Sequence, residues 1–316
     1  MENDVKLKLS DIQKKGKNKA SDLWYVKKVE KQAEAGDISL KLSDTKPTRA
    51  ANPKLRQSRA LFFGEFKQMR KSSLIWFAVI AGLCIITAAT YPLMKVAFDA
   101  LQDQFGSLPP DMVNIINEMI GAMDTFVKYY LTSAGLALML ALFGGIVAST
   151  MLTKDSKGNA SEFLYAMPIK RTRIVVIKYA VLESIVVLFN LALLVISVVL
   201  ALCFSGGEAI DYVAILAHIG SATLMSIVVS SLIFGLSLMS KKRVGFGVAL
   251  GIVLIMYLIL PLSAIDGLGF VRYLTPMSIP TVVGAPFEWI VSLIWLAVAA
   301  VAVAAGFLRF RKQDLV

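Results

Sequence analysis

The chain has 316 residues, of which 57% are apolar and only 17% are charged, and its formal net charge is +11. Soluble domains contain about 45–50% apolar and about 25% charged residues, so this composition excludes an ordinary soluble globular protein. The mean hydropathy of +0.68 arises from long apolar blocks, and a helix needs about 20 such residues to cross a bilayer. The composition therefore predicts an all-α integral membrane protein.

The first 52 residues are predicted to form a basic, largely disordered cytoplasmic tail. Together with the next 20 residues they contain 18 lysines and arginines against 9 acidic residues, and such charged segments have too little apolar surface to fold. No apolar block lies near the start, so no cleaved signal peptide is expected. The pentad LKLSD occurs at Leu7–Asp11 and again at Leu40–Asp44, either by chance or as a pair of short docking motifs.

Residues 53–72 are predicted to form an amphipathic interfacial helix before the first span. Apolar side chains such as Phe62 and Phe66 alternate there with cations such as Lys67 and Arg70. A basic amphipathic helix lies with its apolar face at the acyl boundary and its cations on anionic head groups. The alternative is an ordinary basic flank that fixes the topology of the first span.

Residues 73–316 are predicted to form a domain of six transmembrane helices. The predicted spans are Leu74–Val96, Tyr129–Leu152, Ile174–Phe204, Tyr212–Met239, Val244–Ala264 and Trp289–Leu308.

The distribution of charge between the loops predicts the orientation of these spans. One side of the membrane carries 29 basic residues, whereas the other carries only Lys95, Lys128 and Arg272 together with nine acidic residues. Because loops rich in lysine and arginine stay in the cytoplasm, the N and C termini are both predicted to be cytoplasmic.

The chain contains little that points to catalysis. Cys84 and Cys203 both fall inside predicted spans and are expected to be free thiols. The single histidine, His218, does not make a metal site alone, and no GxxxxGK[ST] phosphate-binding loop is present. The chain is therefore predicted not to be an enzyme and to bind no metal or cofactor itself.

The cytoplasmic loop at 153–171 contains the most informative local pattern. Asn159 and Glu162 have the spacing of a helix-capping box, and Pro168 ends the short helix that they begin. The apolar side of this helix consists of Phe163, Leu164 and Met167. A helix of about two turns is unstable alone in water, so we expect it to dock on a partner protein, or alternatively to rest on the bilayer surface.

The loop and the C terminus together resemble the ABC-2 type permeases, the membrane subunits of ATP-binding-cassette exporters. The loop residues that carry the resemblance are Asp155, Gly158, Glu162, Phe163, Leu164, Pro168, Arg171 and Lys178. The C-terminal residues that carry it are Arg309, Phe310, Arg311, Lys312, Gln313, Asp314 and Leu315. Six spans, two cytoplasmic termini and an amphipathic helix before the first span fit the same family.

The resemblance implies a permease that exports a peptide, a drug or another amphipathic molecule. It implies that a separate ABC ATPase subunit binds ATP and Mg²⁺, that a second permease pairs with this one, and that both lie among lipids in a plasma membrane, as in bacteria. No nucleic acid is expected as a partner. The residues that would contact the ATPase are Glu162, Phe163, Leu164, Met167, Pro168 and Arg171.

Three polar residues in the third predicted span lie at steps of seven, on one helix face: Glu183, Asn190 and Ser197. A charge near the bilayer centre is costly and usually faces protein or water. The stripe therefore predicts either a translocation path or a seam of hydrogen bonds between helices. Lys178 lies off this face and is expected to extend to the cytoplasmic head groups. The alternative function is a stand-alone ion channel or ion-coupled transporter that uses Glu183.

Overall fold

The computed structural model describes seven parts of the chain. These are residues 53–102, 124–133, 135–153, 171–240, 244–265, 267–280 and 287–312. Apart from Pro53, all of them belong to the compact unit Lys54–Val316, and within these ranges the regular structure is helical, without strands. The predicted N-terminal tail at 1–52 lies outside the described residues.

The described α-helices are numbered in chain order. They are α1 Pro53–Gln102, α2 Phe126–Ser133, α3 Leu136–Thr153, α4 Arg171–Phe204, α5 Tyr212–Met239, α6 Phe246–Ile259 and α7 Trp289–Lys312. Short 3₁₀ helices follow α6 at Leu260–Ala264, Gly269–Leu274 and Pro276–Ser278.

Within the described residues, six helical segments are long and apolar enough to cross a membrane, which agrees with the predicted number. They are Gln57–Ala97, Phe126–Thr153, Thr172–Phe204, Tyr212–Met239, Phe246–Ser263 and Trp289–Arg311, here called the first to the sixth span.

The first span continues without a break into the segment that precedes it. Helix α1 has 50 residues and is therefore about 75 Å long, more than twice the roughly 30 Å of a bilayer's hydrocarbon core. Residues 53–72 are helical, as predicted, but they form the first turns of the span helix rather than a separate element. Their position in the membrane interface remains a prediction.

The second span differs from its prediction because it consists of two helices. Helix α2 ends at Ser133 and α3 begins at Leu136. Between them Gly135 has φ of 56°, in the left-handed region that glycine occupies without steric cost. The carbonyl of Gly135 then accepts the first hydrogen bond of α3, from Met139 at 3.1 Å.

The fifth span ends in 3₁₀ turns that fold back against it. Helix α6 ends at Ile259 and a 3₁₀ helix with Pro261 continues the span. The hydroxyl of Thr275 donates to the carbonyl of Met256 at 2.6 Å, and the Trp295 indole donates to the Tyr273 carbonyl at 3.2 Å. These bonds hold the segment at 267–280 between the fifth and sixth spans.

The fourth span lies at the centre of the bundle. In the most apolar stretch of this span 72% of the residues are buried. The corresponding share is 67% in the second span and only 11% in the fifth. Helix α5 packs against α3, α4 and α7. The first, fifth and sixth spans therefore form the periphery, where their apolar side chains are exposed as a bilayer requires.

Candidate functional site

Helix α4 carries the predicted polar stripe. Because α4 is one unbroken helix, Glu183, Asn190 and Ser197 lie about 10 Å apart along its axis and on one face. Asn190 and Ser197 are buried, and Glu183 is partly buried. The stripe faces protein, as expected of polar groups in a span.

The Glu183 carboxylate lies against hydroxyl groups of the fourth span. Ser230 donates from 3.0 and 3.2 Å to its two oxygens, and Ser231 donates from 3.1 Å. The Tyr179 hydroxyl lies 2.9 Å from that of Ser231, so two hydroxyls contact the carboxylate and a third lies behind one of them. These bonds satisfy a carboxylate that has little access to water. The same cluster has the chemistry to hold and exchange a proton.

Ser197 connects α4 to the second span. Its hydroxyl lies 3.0 Å from the Tyr130 hydroxyl, and both side chains are buried. From one face of α4, Ser197 thus hydrogen-bonds to α2 and Glu183 hydrogen-bonds to α5.

Asn190 lies between them and keeps unused hydrogen-bonding capacity. Its side-chain Nδ2 donates to the Val186 carbonyl in its own helix at 2.8 Å. Its Oδ1 is buried and accepts no hydrogen bond within the described part of the chain. An acceptor left unpaired in this way is costly. Asn190 is therefore the member of the stripe whose buried acceptor has no partner within the described residues.

The contacts of Glu183 and Ser197 are those of an interhelical hydrogen-bond seam. The translocation path, which was the other interpretation of the stripe, remains a prediction.

The residues predicted to contact an ATPase fall mostly outside the described ranges. Glu162, Phe163, Leu164, Met167 and Pro168 lie between residues 153 and 171. Arg171 is the first residue of α4. The third span therefore begins directly after the predicted coupling loop.

Lys178, two turns into α4, does not extend to the head groups, so that prediction was wrong. Its ammonium lies 2.5 Å from a carboxylate oxygen of Glu65 in α1, and the two side chains are only 2% and 8% exposed. A buried charge needs a partner close by, and Glu65 supplies it from the first turns of α1. The pair ties α1 to α4 close to the predicted coupling loop.

A sequence signal for this pair existed but was missed. Glu65 is the single acidic residue in 53–72, and it lies one helical turn before Met69. Both side chains are buried, so Glu65 lies on the protein-facing side of α1. A buried acid there requires a cation from another span, and Lys178 is that cation.

Glu208, in the loop between the third and fourth spans, joins three elements at the other end of the bundle. The Tyr91 hydroxyl lies 2.7 and 2.8 Å from its oxygens, the Phe126 amide donates from 3.0 Å, and the Lys95 ammonium forms an ion pair with it. Burial raises the pKa of Glu208, but the bonds from Lys95, Phe126 and Tyr91 outweigh it and hold the pKa below its ordinary value.

All three cations of the predicted outer side are paired with acids. The pairs are Lys95–Glu208, Lys128–Asp124 and Arg272–Glu288. At the end of the bundle predicted to face outward, the few positive charges of the described residues are thus paired locally.

The described residues contain no group of three or more metal-binding side chains. Both cysteines are free, Cys84 buried and Cys203 exposed. His218 is partly buried in α5.

The described residues form six apolar helical spans with a buried fourth span at their centre and a polar seam between helices, which defines a multi-pass integral membrane protein. A family model described as "ABC-2 family transporter protein" matches residues 61–258, more than half of the chain. The chain therefore belongs to this family and is an ABC-2 type permease. The matched region begins in α1, includes the predicted coupling loop and ends in the fifth span. No curated protein matches the chain.

Proposed function

We propose that this chain is the permease subunit of an ATP-binding-cassette exporter in a bacterial plasma membrane. A separate ATPase subunit binds ATP and Mg²⁺, and a second permease, identical or related, completes the path. The observation that carries the proposal is the family match over residues 61–258, which contains the loop between the second and third spans.

The geometry of α4 supports a mechanism in which the loop drives the spans. Helix α4 begins at Arg171, directly after the loop, and runs for 34 residues without a break. The buried pair of Lys178 and Glu65 joins it to α1. A movement that the ATPase imposes on the loop is therefore passed to the first and third spans together, as a rigid-body displacement of packed helices.

The polar stripe of α4 is our candidate for the substrate path. Asn190 offers a buried acceptor, and Glu183 and Ser197 offer groups that can exchange a helix partner for a substrate. A stripe this narrow in a strongly apolar bundle suits an amphipathic substrate such as a peptide or a drug.

The proposal predicts that an ATPase leaves the complex when the apolar side of the loop helix is made charged. The tagged full chain is extracted gently from its native membrane, alone and with Phe163→Asp plus Leu164→Asp. We expect an ATPase with a phosphate-binding loop to copurify with the wild type and to be lost from the double variant, because burial of that side stabilises docking. The readouts are copurified ATPase and ATP hydrolysis, with the melting temperature as a check of folding.

A matched control in the same loop is Lys154→Glu plus Lys157→Glu, which changes charge without touching the apolar side. It is expected to retain the ATPase. Equal loss from both double variants would contradict docking through the apolar side.

A second candidate function is a stand-alone ion channel or ion-coupled transporter, favoured by the carboxylate of Glu183 that accepts hydrogen bonds from Ser230 and Ser231. In that case no ATPase copurifies, the purified chain passes ions in liposomes, and Glu183→Gln abolishes the flux.

A further inference from the structure

A cavity of about 210 Å³ lies between the first and third spans. Its lining includes Phe66, Arg70 and Phe77 from α1 and Leu188, Phe189 and Ala192 from α4. It lies next to the Glu65–Lys178 pair, towards the end of the bundle that the basic residues mark as cytoplasmic.

The cavity extends from the depth of the head groups into the hydrocarbon layer. Arg70 lies one turn before Leu74, where the sequence places the start of the first span, and Phe77 lies about 10 Å further along the helix. Leu74 and Leu188, which also line the cavity, are both more than half exposed. The cavity therefore opens sideways towards lipid.

The walls are apolar and Arg70 is the cation at the rim. The one hydroxyl in the lining, that of Ser73, donates to the Met69 carbonyl at 3.1 Å. The Arg70 side chain is exposed, and within the described residues no acid pairs with it, because the nearby Glu65 pairs with Lys178. A guanidinium is suited to bidentate binding of phosphate.

We propose that this cavity binds an anionic phospholipid of the cytoplasmic leaflet. The lipid phosphate binds Arg70, and the first part of one acyl chain enters the cavity between Phe77 and Ala192. Charge complementarity favours this occupant, since the exposed cations Lys67 and Lys71 flank Arg70 and the cytoplasmic leaflet carries anionic lipids.

Such a lipid would fix the spacing of α1 and α4. The Glu65–Lys178 pair joins these helices beside the cavity, and the lipid fills the gap deeper in the membrane. The proposal concerns this chain alone and holds whether or not an ATPase is its partner.

The test compares binding of phosphatidylglycerol and phosphatidylcholine with identical acyl chains to the purified full chain. Native mass spectrometry measures retained lipid, and the melting temperature reports stabilisation. We expect phosphatidylglycerol to be preferred, and Arg70→Gln to weaken its binding about tenfold, as expected for loss of a hydrogen bond to a charged group. Ala192→Phe, which fills the deep end, is expected to weaken binding of both lipids.

Lys71→Gln is the matched control. It removes the same charge from the next residue of the helix, whose side chain does not line the cavity. Its binding of phosphatidylglycerol is expected to stay within about twofold of the wild type. Equal losses for Arg70→Gln and Lys71→Gln would overturn the proposal, since diffuse attraction would then explain the binding.

Two further results would also overturn it. One is unchanged lipid binding by Ala192→Phe, which would show that no acyl chain enters. The other is disulfide cross-linking between two copies of Leu188→Cys in a Cys203→Ser background, in native membranes, which would show that a second copy of the chain covers the cavity.

Discussion

Single charged residues hold distant parts of this chain together at both ends of the bundle. Glu65 binds Lys178 across 113 residues of sequence at one end, and Glu208 binds Lys95, also 113 residues away, at the other. Loss of one partner of a buried pair leaves an uncompensated charge, which costs about 3–5 kcal/mol. The Glu208 ion pair is more exposed and contributes less to stability by itself. The contribution of this cluster to stability therefore depends on the number of donors that bind one carboxylate.

The lowered pKa of Glu208 predicts a stability that depends on pH. The ionised carboxylate stabilises the folded state fully above the ordinary glutamate pKa of about 4.3, and this stabilisation is lost as the pH falls through the lowered pKa of the folded state. The groups that face it are Lys95, Tyr91 and the Phe126 amide. The melting temperature of Glu208→Gln should therefore lie below that of the wild type at neutral pH and approach it in acid.

The matched control is Asp124→Asn, which removes an exposed ion pair with Lys128. Such pairs contribute little, so this variant should follow the wild-type pH profile. A constant difference between wild type and Glu208→Gln from neutral to acid pH would show that the charge of Glu208 does not stabilise the outer face.

At the scale of helices, close packing in the bundle depends on glycines that allow backbones to meet. A Cβ atom on Gly235 in α5 would lie 2.6 Å from the backbone of Ala302 in α7, and one on Gly306 would lie 2.9 Å from the Gly235 carbonyl. In a bilayer no hydrophobic effect drives helices together, so such small residues govern their approach. The contact between the fourth and sixth spans therefore requires glycine at both positions.

Gly235→Ala is expected to destabilise the protein, because the added methyl group meets backbone atoms that do not move independently. Overpacking of this kind costs about 1–3 kcal/mol. The control is Gly220→Ala in the same helix, where an added Cβ meets nothing within 4 Å and alanine favours the helix by about 0.5–1 kcal/mol. Melting temperatures should thus shift in opposite directions, and a fall of similar size in both variants would contradict the close contact.

At the scale of the whole molecule, the charge outside the spans predicts the orientation in the membrane. The segments predicted to be cytoplasmic are rich in lysine and arginine. At the opposite end of the bundle, Lys95, Lys128 and Arg272 are each paired with an acid. Loops rich in lysine and arginine are retained in the cytoplasm, so both termini are predicted to lie there.

Cysteine labelling tests this orientation. In a background with Cys84→Ala and Cys203→Ser, single cysteines replace Gln57 at the start of α1 and Ala209 in the loop after α4, both exposed positions. A membrane-impermeant maleimide should label Ala209→Cys in intact cells and Gln57→Cys only after permeabilisation. The reverse pattern would invert the topology and place the predicted coupling loop outside the cell.

The sequence by itself determined the class of the protein, the six spans and the family. These properties depend on runs of apolar residues and on local motifs, which can be recognised without knowledge of what packs where. The break at Gly135 and the continuity of α1 through residue 72 were not predicted, because hydropathy shows where apolar residues lie and not where the helical backbone is interrupted or continued.

Only the tertiary structure decided which partner each polar residue has. Sequence periodicity placed Glu183 and Ser197 on one face of α4, but not against Ser230 and Tyr130, and it assigned Lys178 to the head groups instead of Glu65. In an apolar bundle almost every helix face is hydrophobic, so hydropathy does not select the neighbours. The neighbours are selected because an unpaired polar group in the bundle is unfavourable. The partners that pair with such groups are far apart in the chain, and only the folded bundle brings them together.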